Sequence, residues 1–391
     1  MGRLTVLLGS GFSEGMGLPG TEELTGYVRS LERPVIHAAD PRERSITVAD
    51  AMWRMASSYY THPNFETMLH LVETAMAYSG VKGWLAADDR AKAAFGAFMT
   101  IMPHWQDFVE TAARSYFEEF YSAAIQEVAH NLIDRIDSMA HETRATCAQF
   151  FGALRQEFEL AIATLNYDDL IERSLEDWQD GFQHVGDRWL FSPKAMTEET
   201  VAPLILHLHG SIRFYIRSDA RPHVEIYRAE SPQLTAPETR SVQWRELAQS
   251  GDTLIVGPMI SGLRKTDKIT VPPFGYYQYK LHDCLLRSSR LLVIGYGGGD
   301  NYINSLLLQM RRIHGNDFRA AFVTKPKELT FADYGFLVPW VIIGDRTDDF
   351  RERCEAAKGS GNFVQGQNGI LSVDGFPLGK AANEQLITFL K

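Results

Sequence analysis

Four short segments of the sequence combine glycines with side chains that could do chemistry. They read Gly9-Ser10-Gly11-Phe12-Ser13, Thr164-Leu165-Asn166-Tyr167-Asp168, His207-Leu208-His209-Gly210 and Gly295-Tyr296-Gly297-Gly298-Gly299-Asp300. Glycines allow a backbone to approach a bound phosphate closely. An asparagine amide can hold a hydroxyl or a water but cannot act as a base, whereas an imidazole titrates near neutral pH. Together, these residue types favour a dinucleotide pocket with an amide and an imidazole pointing into it.

The first glycine segment follows an apolar run at residues 4–8, which predicts a buried parallel strand. Glycines there would allow a tight turn against a pyrophosphate, and a following helix would present free N–H groups to it. The spacing, G-x-G-x-x-x-G, differs from the dehydrogenase pattern G-x-G-x-x-G. A plain structural turn is the alternative. The residues expected to contact the ligand are Gly9, Ser10, Gly11, Phe12 and Ser13.

Asn166, Asp168 and His209 are the candidate catalytic residues, each placed just after a short apolar run. We interpret His209 as a general base and Asn166 as the holder of a ribose hydroxyl, a water or a carboxamide. Asp168 could instead cap the next helix, and His209 could be a core histidine. The pair His207 and His209 also suggests a metal site, but we find no acidic or cysteine partner near it, so no metal is predicted.

The last glycine segment follows an apolar run at residues 291–294 and leads into a helical pattern at 303–313. Its glycines leave space for a ligand against the backbone, and Asp300 or Asn301 could cap the helix. A plain tight turn is again the alternative. The residues expected to contact the ligand are Gly295, Tyr296, Gly297 and Asp300.

The order of apolar runs predicts an α/β fold, a Rossmann-like parallel sheet with a large helical insertion. Predicted strands lie at 4–8, 160–164, 204–208, 253–256, 291–294, 320–323 and 340–343, and predicted helices at 170–175, 276–286 and 303–313. We assign residues 1–44 and 156–350 to the core and 45–155 to an inserted helical module. Residues 351–391 are interpreted as a C-terminal tail, with a hairpin near 368–375 and a helix near 383–390, that could serve assembly.

Composition limits the function classes. The chain has 391 residues, 45% hydrophobic residues and a net charge of −10, which is typical of a soluble globular protein with one large core or two. The acidic balance disfavours direct nucleic-acid binding, apart from a local patch at Arg311-Arg312 or at 264–268. No apolar run is long enough to span a membrane and no secretory signal is evident. The three scattered cysteines favour a reducing cytoplasm.

The order of the four segments resembles the sirtuin superfamily, and more closely its bacterial sirtuin-like NADase branch in antiphage defence. The segments Ile255-Val256-Gly257-Pro258 and Pro272-Pro273-Phe274 are also similar to that branch. The resemblance implies that NAD is the substrate, that the glycine segments hold it, and that Asn166 and His209 are catalytic. Protein-deacylating sirtuins carry four zinc-binding cysteines and D-F-R after G-I-P. This chain has three dispersed cysteines and Gly20-Thr21-Glu22 instead.

The function implied by the resemblance is an NAD+ glycohydrolase that releases nicotinamide and ADP-ribose, with Asp168 orienting the nicotinamide or the Asn166 loop. The resemblance also implies an NAD-depleting effector, homo-oligomeric and gated by a HerA-type DNA-translocating ATPase or an Argonaute. Cyclised ADP-ribose is a variant of this product. The alternatives are a catalytically silent subunit that binds NAD or ADP-ribose, and a deacylase or ADP-ribosyltransferase.

Overall fold

The computed structural model describes residues 2–36, 45–79, 113–198, 201–217, 225–232, 240–242, 254–261, 268–269, 271–344 and 349–391. The chain divides into two compact units. The first unit comprises Met1–Gly20, Asp134–Ser211 and Pro273–Lys391, and the second comprises Thr21–Ile133 and Ile212–Pro272. Among the described residues, no helix combines the length and apolarity needed to cross a membrane.

The helices of the described residues follow one another along the chain. They are α1 (Ser10–Gly15), α2 (Thr21–Arg29), α3 (Val48–Tyr59), α4 (Phe65–Ser79), α5 (Ala113–Asp137), α6 (His141–Glu157), α7 (Leu170–Ser174), α8 (Phe274–Arg287), α9 (Asn301–His314), α10 (Tyr334–Ile343), α11 (Phe350–Ala357) and α12 (Lys380–Leu390). The strands are β1 (Gly2–Leu8), β2 (Val35–Ile36), β3 (Ile46–Thr47), β4 (Phe158–Thr164), β5 (Phe182–Val185), β6 (Arg188–Phe191), β7 (Leu204–His207), β8 (Phe214–Arg217), β9 (Glu225–Arg228), β10 (Arg240–Val242), β11 (Leu254–Val256), β12 (Arg290–Ile294), β13 (Arg319–Val323), β14 (Val364–Gln365) and β15 (Gly369–Ser372).

A seven-stranded sheet forms the centre of the first unit, with the order β14-β15-β13-β12-β1-β4-β7. All neighbouring strands are parallel except β14, which is antiparallel to β15. The six parallel strands have the order of a doubly wound Rossmann sheet, in which the chain changes direction between β1 and β12. The predicted α/β fold with a Rossmann-like parallel sheet is therefore confirmed.

The strands next to this change of direction are deeply buried. Leu4 to Leu8 of β1 and Leu291 to Ile294 of β12 are buried residue after residue, without the alternation of a half-exposed strand. Strands covered on both faces need apolar side chains on both faces, which is why these runs are continuous. The buried, parallel pair β1 and β12 therefore fixes the place where the glycine segments begin.

Two of the predicted strands differ from what the structure shows at those residues. Residues 340–343 belong to helix α10, so the strand prediction was wrong there. The helix starts after Asp333, whose carboxylate accepts a hydrogen bond from the N–H of Gly335 at 2.8 Å. Its sequence, YGFLVPWVII, has no apolar period, and such a run fits a buried helix as well as a buried strand. Strand β11 exists, but it pairs antiparallel with β10 instead of joining the parallel sheet.

The second unit contains α2, α3, α4 and most of α5, together with the short strands β2, β3 and β8 to β11. It includes much of the predicted helical module, whereas α6 and the last residues of α5 lie in the first unit. A buried polar cluster lies inside the second unit. Lys268 pairs with Glu73 and donates a hydrogen bond to the Ser261 carbonyl at 2.7 Å, while the Tyr121 hydroxyl donates to Glu73 at 3.0 Å.

The C-terminal residues contribute to the main sheet. The hairpin falls at β14 and β15, and β15 pairs in parallel with β13. Helix α12 follows, and the Arg290 guanidinium of β12 donates hydrogen bonds to the carbonyls of Leu390 at 2.6 Å and Lys391 at 2.8 Å. The segment assigned from sequence to a tail therefore supplies the edge of the sheet in the first unit.

Candidate active site

Two glycine turns meet where the sheet changes direction. The N–H of Gly9 donates to the Ile294 carbonyl and that of Gly11 to the Gly295 carbonyl, both at 2.9 Å. A Cβ on Gly9 would lie 2.6 Å from the Gly295 oxygen, and a Cβ on Gly295 would lie 2.0 Å from the Phe12 nitrogen. Gly295 also has a positive φ of 64°. These glycines are needed because the two turns pack directly on each other.

This packing changes the expected role of the first turn. Helix α1 begins at Ser10, directly after Gly9, and the N–H of Phe12 bonds to the Gly9 carbonyl at 3.0 Å. The expected free N–H groups are thus already used at Gly11 and Phe12. The Phe12 ring is fully buried against Phe151 and Phe376, so only its backbone could reach a ligand. The exposed residue of this turn is Ser10.

Asn166, Ser13 and Asp168 form a connected hydrogen-bond chain at the end of β4. The Asn166 amide donates to the Gly9 carbonyl at 2.9 Å and to the Ser13 hydroxyl at 2.8 Å. Ser13 in turn donates to the Asp168 carboxylate at 2.6 Å. Because both amide hydrogens are used, Oδ1 is the atom of Asn166 left to accept a hydrogen bond from a ligand or water. The structure therefore brings these three predicted residues together.

Asp168 is a buried carboxyl with an altered acidity. Burial raises its pKa to about 6, and the charges of Glu172 and Asp169 add to the rise, while hydrogen bonds from Ser13 and the Leu170 N–H oppose it. The Leu170 bond, 3.2 Å long, lies at the start of α7, so Asp168 also serves the helix end that the sequence suggested. Asp168 thus changes charge close to neutral pH, where a catalytic carboxyl is useful.

His209 faces a carboxylate from the other glycine turn. Its Nε2 lies 3.7 Å from Oδ2 of Asp300, and the histidine side chain is buried. The other carboxylate oxygen of Asp300 caps α9 by accepting from the N–H groups of Tyr302 at 2.9 Å and Ile303 at 3.2 Å. The capping role of Asp300 is therefore confirmed, and the same residue holds a negative charge beside the imidazole.

The Tyr296 hydroxyl stabilises the turn after β12 through hydrogen bonds. This hydroxyl donates to Asn304 Oδ1 at 2.8 Å and lies 2.9 Å from the Asp300 carbonyl, while Asn304 donates to the Gly298 carbonyl at 2.8 Å. Burial raises the pKa of Tyr296 well above its usual range. Sequence reasoning missed Asn304, because a polar residue in the first turns of a helix carries no signal of its own. Gly297 has open space around its Cα, where a ligand could lie.

His207 has the acidic partner that the sequence did not reveal. Its Nε2 lies 3.1 Å from Oε1 of Glu172, a residue of α7 that is distant in sequence but adjacent in the fold. This finding corrects the statement that no acidic partner lies near the histidine pair. Over the described part of the chain, no group of three or more His, Cys, Asp or Glu side chains is arranged to hold a metal ion.

The comparison with protein families gives one match. Residues 160–336 match the model described as a SIR2-like domain. The matched segment is shorter than half of the chain, but it contains Asn166, Asp168, His209 and Asp300. The match supports a relationship to the sirtuin-like superfamily.

Solved structures resemble this chain only distantly. A Sir2 homologue in complex with NAD is 14% identical, with 87% of this chain and 88% of that chain covered and a TM-score of 0.37. A Sir2 homologue mutant with 2′-O-acetyl ADP-ribose is 14% identical, with 87% and 90% covered and a TM-score of 0.36. A complex of Sir2 with a p53 peptide and NAD+ is 13% identical, with 87% and 92% covered and a TM-score of 0.36. No curated protein matches the sequence.

Proposed function

We propose that this chain is an NAD+ glycohydrolase, which cleaves NAD+ at the bond between the nicotinamide nitrogen and C1′ of its ribose. The observation that carries the proposal is the Asn166 amide, locked by Gly9 and Ser13 so that its Oδ1 is left for a ligand. It lies at the carboxyl end of β4, beside the change of strand direction where doubly wound sheets bind dinucleotides. The SIR2-like match, which covers Asn166 and the turn after β12 but begins at residue 160, supports NAD+ as that dinucleotide.

The residues of the site fit the two halves of NAD+ differently. Polar groups able to act on a ribose follow β4 and β7, namely Asn166 and His209. The opposite turn, after β12, offers backbone with little side-chain bulk, and Gly297 is open. We therefore assign the nicotinamide ribose to the β4 and β7 side and the pyrophosphate to the turn after β12. Since the amides of Gly11 and Phe12 are occupied, we assign the phosphate contacts of the two turns to the exposed Ser10 and to the turn after β12.

Cleavage of the bond between C1′ and the nicotinamide nitrogen needs little acid catalysis. As the bond between C1′ and the ring nitrogen breaks, its electron pair neutralises the positive nicotinamide, which leaves as a neutral molecule. The ribose passes through an oxocarbenium-like state, as in glycoside hydrolysis. Asn166 Oδ1 accepts a hydrogen bond from the attacking water or a ribose hydroxyl. His209 removes the water proton as oxygen bonds to C1′, and that proton then passes to solvent.

Two carboxylates support these steps. Asp300 lies close enough to His209 to stabilise the imidazolium that forms when the histidine takes a proton. Asp168 holds the Ser13 hydroxyl, which in turn orients the Asn166 amide. The proposed role of Asp168 needs the carboxylate form, so nicotinamide release is expected to fall as the pH drops through about 6.

The proposal is tested by incubating the purified protein with NAD+ and measuring nicotinamide by chromatography. We expect Asn166→Ala to lower the rate about 100-fold or more, because the group that places water or ribose is lost. Asn383→Ala is the matched control, since Asn383 bonds within the α12 segment at 3.4 Å and lies outside the site. Unchanged turnover in Asn166→Ala would contradict the mechanism. The same chromatogram distinguishes linear from cyclised ADP-ribose.

Regulation of the enzyme is part of the same proposal. An unregulated NADase would deplete the NAD+ of its own cell, so we propose that the chain acts as a homo-oligomer gated by a partner in antiphage defence. The resemblance to sirtuin-like NADases points to a HerA-type ATPase or an Argonaute as that partner. Nicotinamide release should rise when the cognate partner is added. A monomer with full activity that no cognate partner alters would contradict gating.

The second candidate function is protein deacylation, and the number of cysteines disfavours it. Cys147, Cys284 and Cys354 are buried thiols, and three cysteines are one fewer than the zinc module of deacylating sirtuins requires. An acyl-lysine peptide should therefore leave the rate of nicotinamide release unchanged. Stimulation by the peptide would favour deacylation instead.

A further inference from the structure

A cavity of about 150 Å³ lies in the first unit, away from the candidate active site. Its wall includes residues near the starts of β1, β4 and β7, whereas Gly9 and Asn166 follow the opposite ends of β1 and β4. Because β1 has seven residues, the two places are about 20 Å apart along this strand. The cavity is therefore separate from the proposed NAD+ site.

Two cationic side chains in the wall have hydrogen-bond donors that the described residues do not use. The Arg3 guanidinium donates no hydrogen bond to any of them, and the carboxylate oxygen of its ion pair, on Glu159, is 3.7 Å away. The Lys280 ammonium also donates none, and its ion pair with Asp283 is 3.6 Å long. The side chains of Arg3 and Lys280 are only 29% and 19% exposed. Cations in such surroundings form strong hydrogen bonds with an anion.

The other charged groups of the wall offset these two cations only weakly. Arg287 donates a hydrogen bond to Asp283 at 2.6 Å, so that cation and that carboxylate offset each other. The side chains of Glu159 and Glu198 are 48% and 55% exposed. Water screens exposed charges more strongly than buried ones. The interior of the cavity therefore favours negative charge.

The size of the cavity limits what it can hold. Its volume equals that of about five water molecules, which fits a small oxyanion and is too small for a dinucleotide. The Cys284 thiol lies in the same wall, one helical turn after Lys280. Burial raises the pKa of this thiol, the charges of Arg3, Lys280 and Arg287 oppose the rise, and Asp283 adds to it. The three cations thus act on the same part of the cavity.

We propose that this cavity binds a small oxyanion, a phosphate or a short carboxylate, between the Arg3 guanidinium and the Lys280 ammonium. The planar fork of Arg3 matches two oxygens of such an anion, and Lys280 adds a point charge. Glu159 competes with the anion for Arg3, because the two side chains already form a long ion pair. Binding at this site does not depend on NAD+ hydrolysis.

The test is isothermal titration calorimetry of the whole chain with inorganic phosphate and, separately, with succinate. Sodium chloride keeps the ionic strength constant, so screening by salt does not change during the titration. We expect saturable binding of at least one of the two anions, at one site per chain. Saturation by phosphate or by succinate identifies the oxyanion that the cavity prefers.

The variants are expected to change the affinity in opposite directions. Arg3→Gln and Lys280→Gln should each weaken binding by about 10-fold or more, because a charge-assisted hydrogen bond is lost. Glu159→Gln should tighten binding by about twofold to fivefold, because the competing carboxylate is removed. Lys358→Gln is the matched control, since Lys358 pairs with Glu355 at the surface and lies outside the cavity wall.

A variant that fills the cavity tests its location without changing its charge. Ala195→Leu adds bulk to the wall and should abolish binding, while urea unfolding shows whether each variant remains folded. The proposal would be overturned if the native chain bound neither anion, if Arg3→Gln and Lys280→Gln bound like the native chain, or if Lys358→Gln weakened binding equally. Since no NAD+ is present in the titrations, their outcome is independent of whether the chain hydrolyses NAD+.

Discussion

At the scale of single residues, the orientation of one amide is the central feature of the site. The side-chain amide of Asn166 is held in one orientation, because the Gly9 carbonyl and the Ser13 hydroxyl accept hydrogen bonds from its two amide hydrogens. Ser13 can accept from Asn166 while donating to Asp168, so its hydroxyl links the amide to a titrating carboxyl. Ser13 therefore connects the Asp168 carboxylate to the Asn166 amide through two hydrogen bonds.

The raised pKa of Asp168 also leads to a prediction about stability. Its pKa is about 6 in the fold against 3.8 when unperturbed, so the folded chain holds this proton more tightly than the unfolded chain. The stability that the neutral carboxyl provides is present below about pH 4 and is lost as the pH rises to about 6. Relative to the native protein, Asp168→Asn should therefore become more stable across this window, by about 3 kcal/mol in total.

The measurement is chemical unfolding of both proteins at pH 4 to 7. A difference between them that does not change with pH would show that Asp168 titrates alike in the folded and unfolded chains. Glu198→Gln serves as the control, because Glu198 is exposed and its ion pair with Lys194, at 3.9 Å, is long and lies at the surface.

At the scale of elements, the site depends on two turns that touch. The turn after β1 and the turn after β12 share hydrogen bonds and leave no room for a Cβ at Gly9 or Gly295. The structure shows that the backbone of the opposite turn approaches Gly9 and Gly295, which the sequence pattern did not reveal. The ligand contact expected at the glycine turns stays a prediction.

Gly295→Ala is expected to destabilise the first unit strongly. Its added Cβ would lie 2.0 Å from the Phe12 nitrogen, and its φ of 64° is unfavourable for alanine. We expect a loss of about 3 kcal/mol or more, measured by urea unfolding. Gly297→Ala is the matched control in the same turn, because nothing lies within 4 Å of its added Cβ. Equal stability of the two variants would contradict the packing of the turns.

The burial of an element decided whether the sequence could predict it. β1, β4 and β12 each contain a mostly apolar run that is followed by glycine or asparagine, and such runs are typical of buried strands. Helix α10 is equally apolar but longer, and with no period its residues 340–343 looked like a strand. The contact between Glu172 and His207 could not be predicted, since it depends on α7 and β7 meeting in space.

At the scale of the whole molecule, the chain consists of two units with different internal supports. The first is a doubly wound sheet whose edge includes C-terminal strands, so residues that looked like a tail take part in its core. The second is stabilised internally by the buried cluster of Lys268, Glu73, Tyr121 and Ser261. Each unit therefore has features whose loss can be tested independently of catalysis.

Lys268→Met should destabilise the second unit. Removing the ammonium leaves Glu73 buried without its cation, and burial of such a charge typically costs about 3 to 5 kcal/mol. The midpoint of thermal unfolding should fall accordingly, and Glu73→Leu together with Lys268→Met should recover part of the loss. Lys194→Met, at an exposed lysine, is the control. No change in Lys268→Met would show that the buried pair contributes nothing to stability.

The Asn166 amide, held by Gly9 and Ser13, is proposed to serve hydrolysis of NAD+ at its glycosidic bond. The most direct measurement is nicotinamide release from NAD+ by the native chain, Asn166→Ala and Asn383→Ala, each with and without the cognate partner. We expect stoichiometric nicotinamide and ADP-ribose from the native chain and from Asn383→Ala, and release that is lower by about 100-fold or more from Asn166→Ala. Equal release by native chain and Asn166→Ala, or no release from the native chain under either condition, would contradict this proposal.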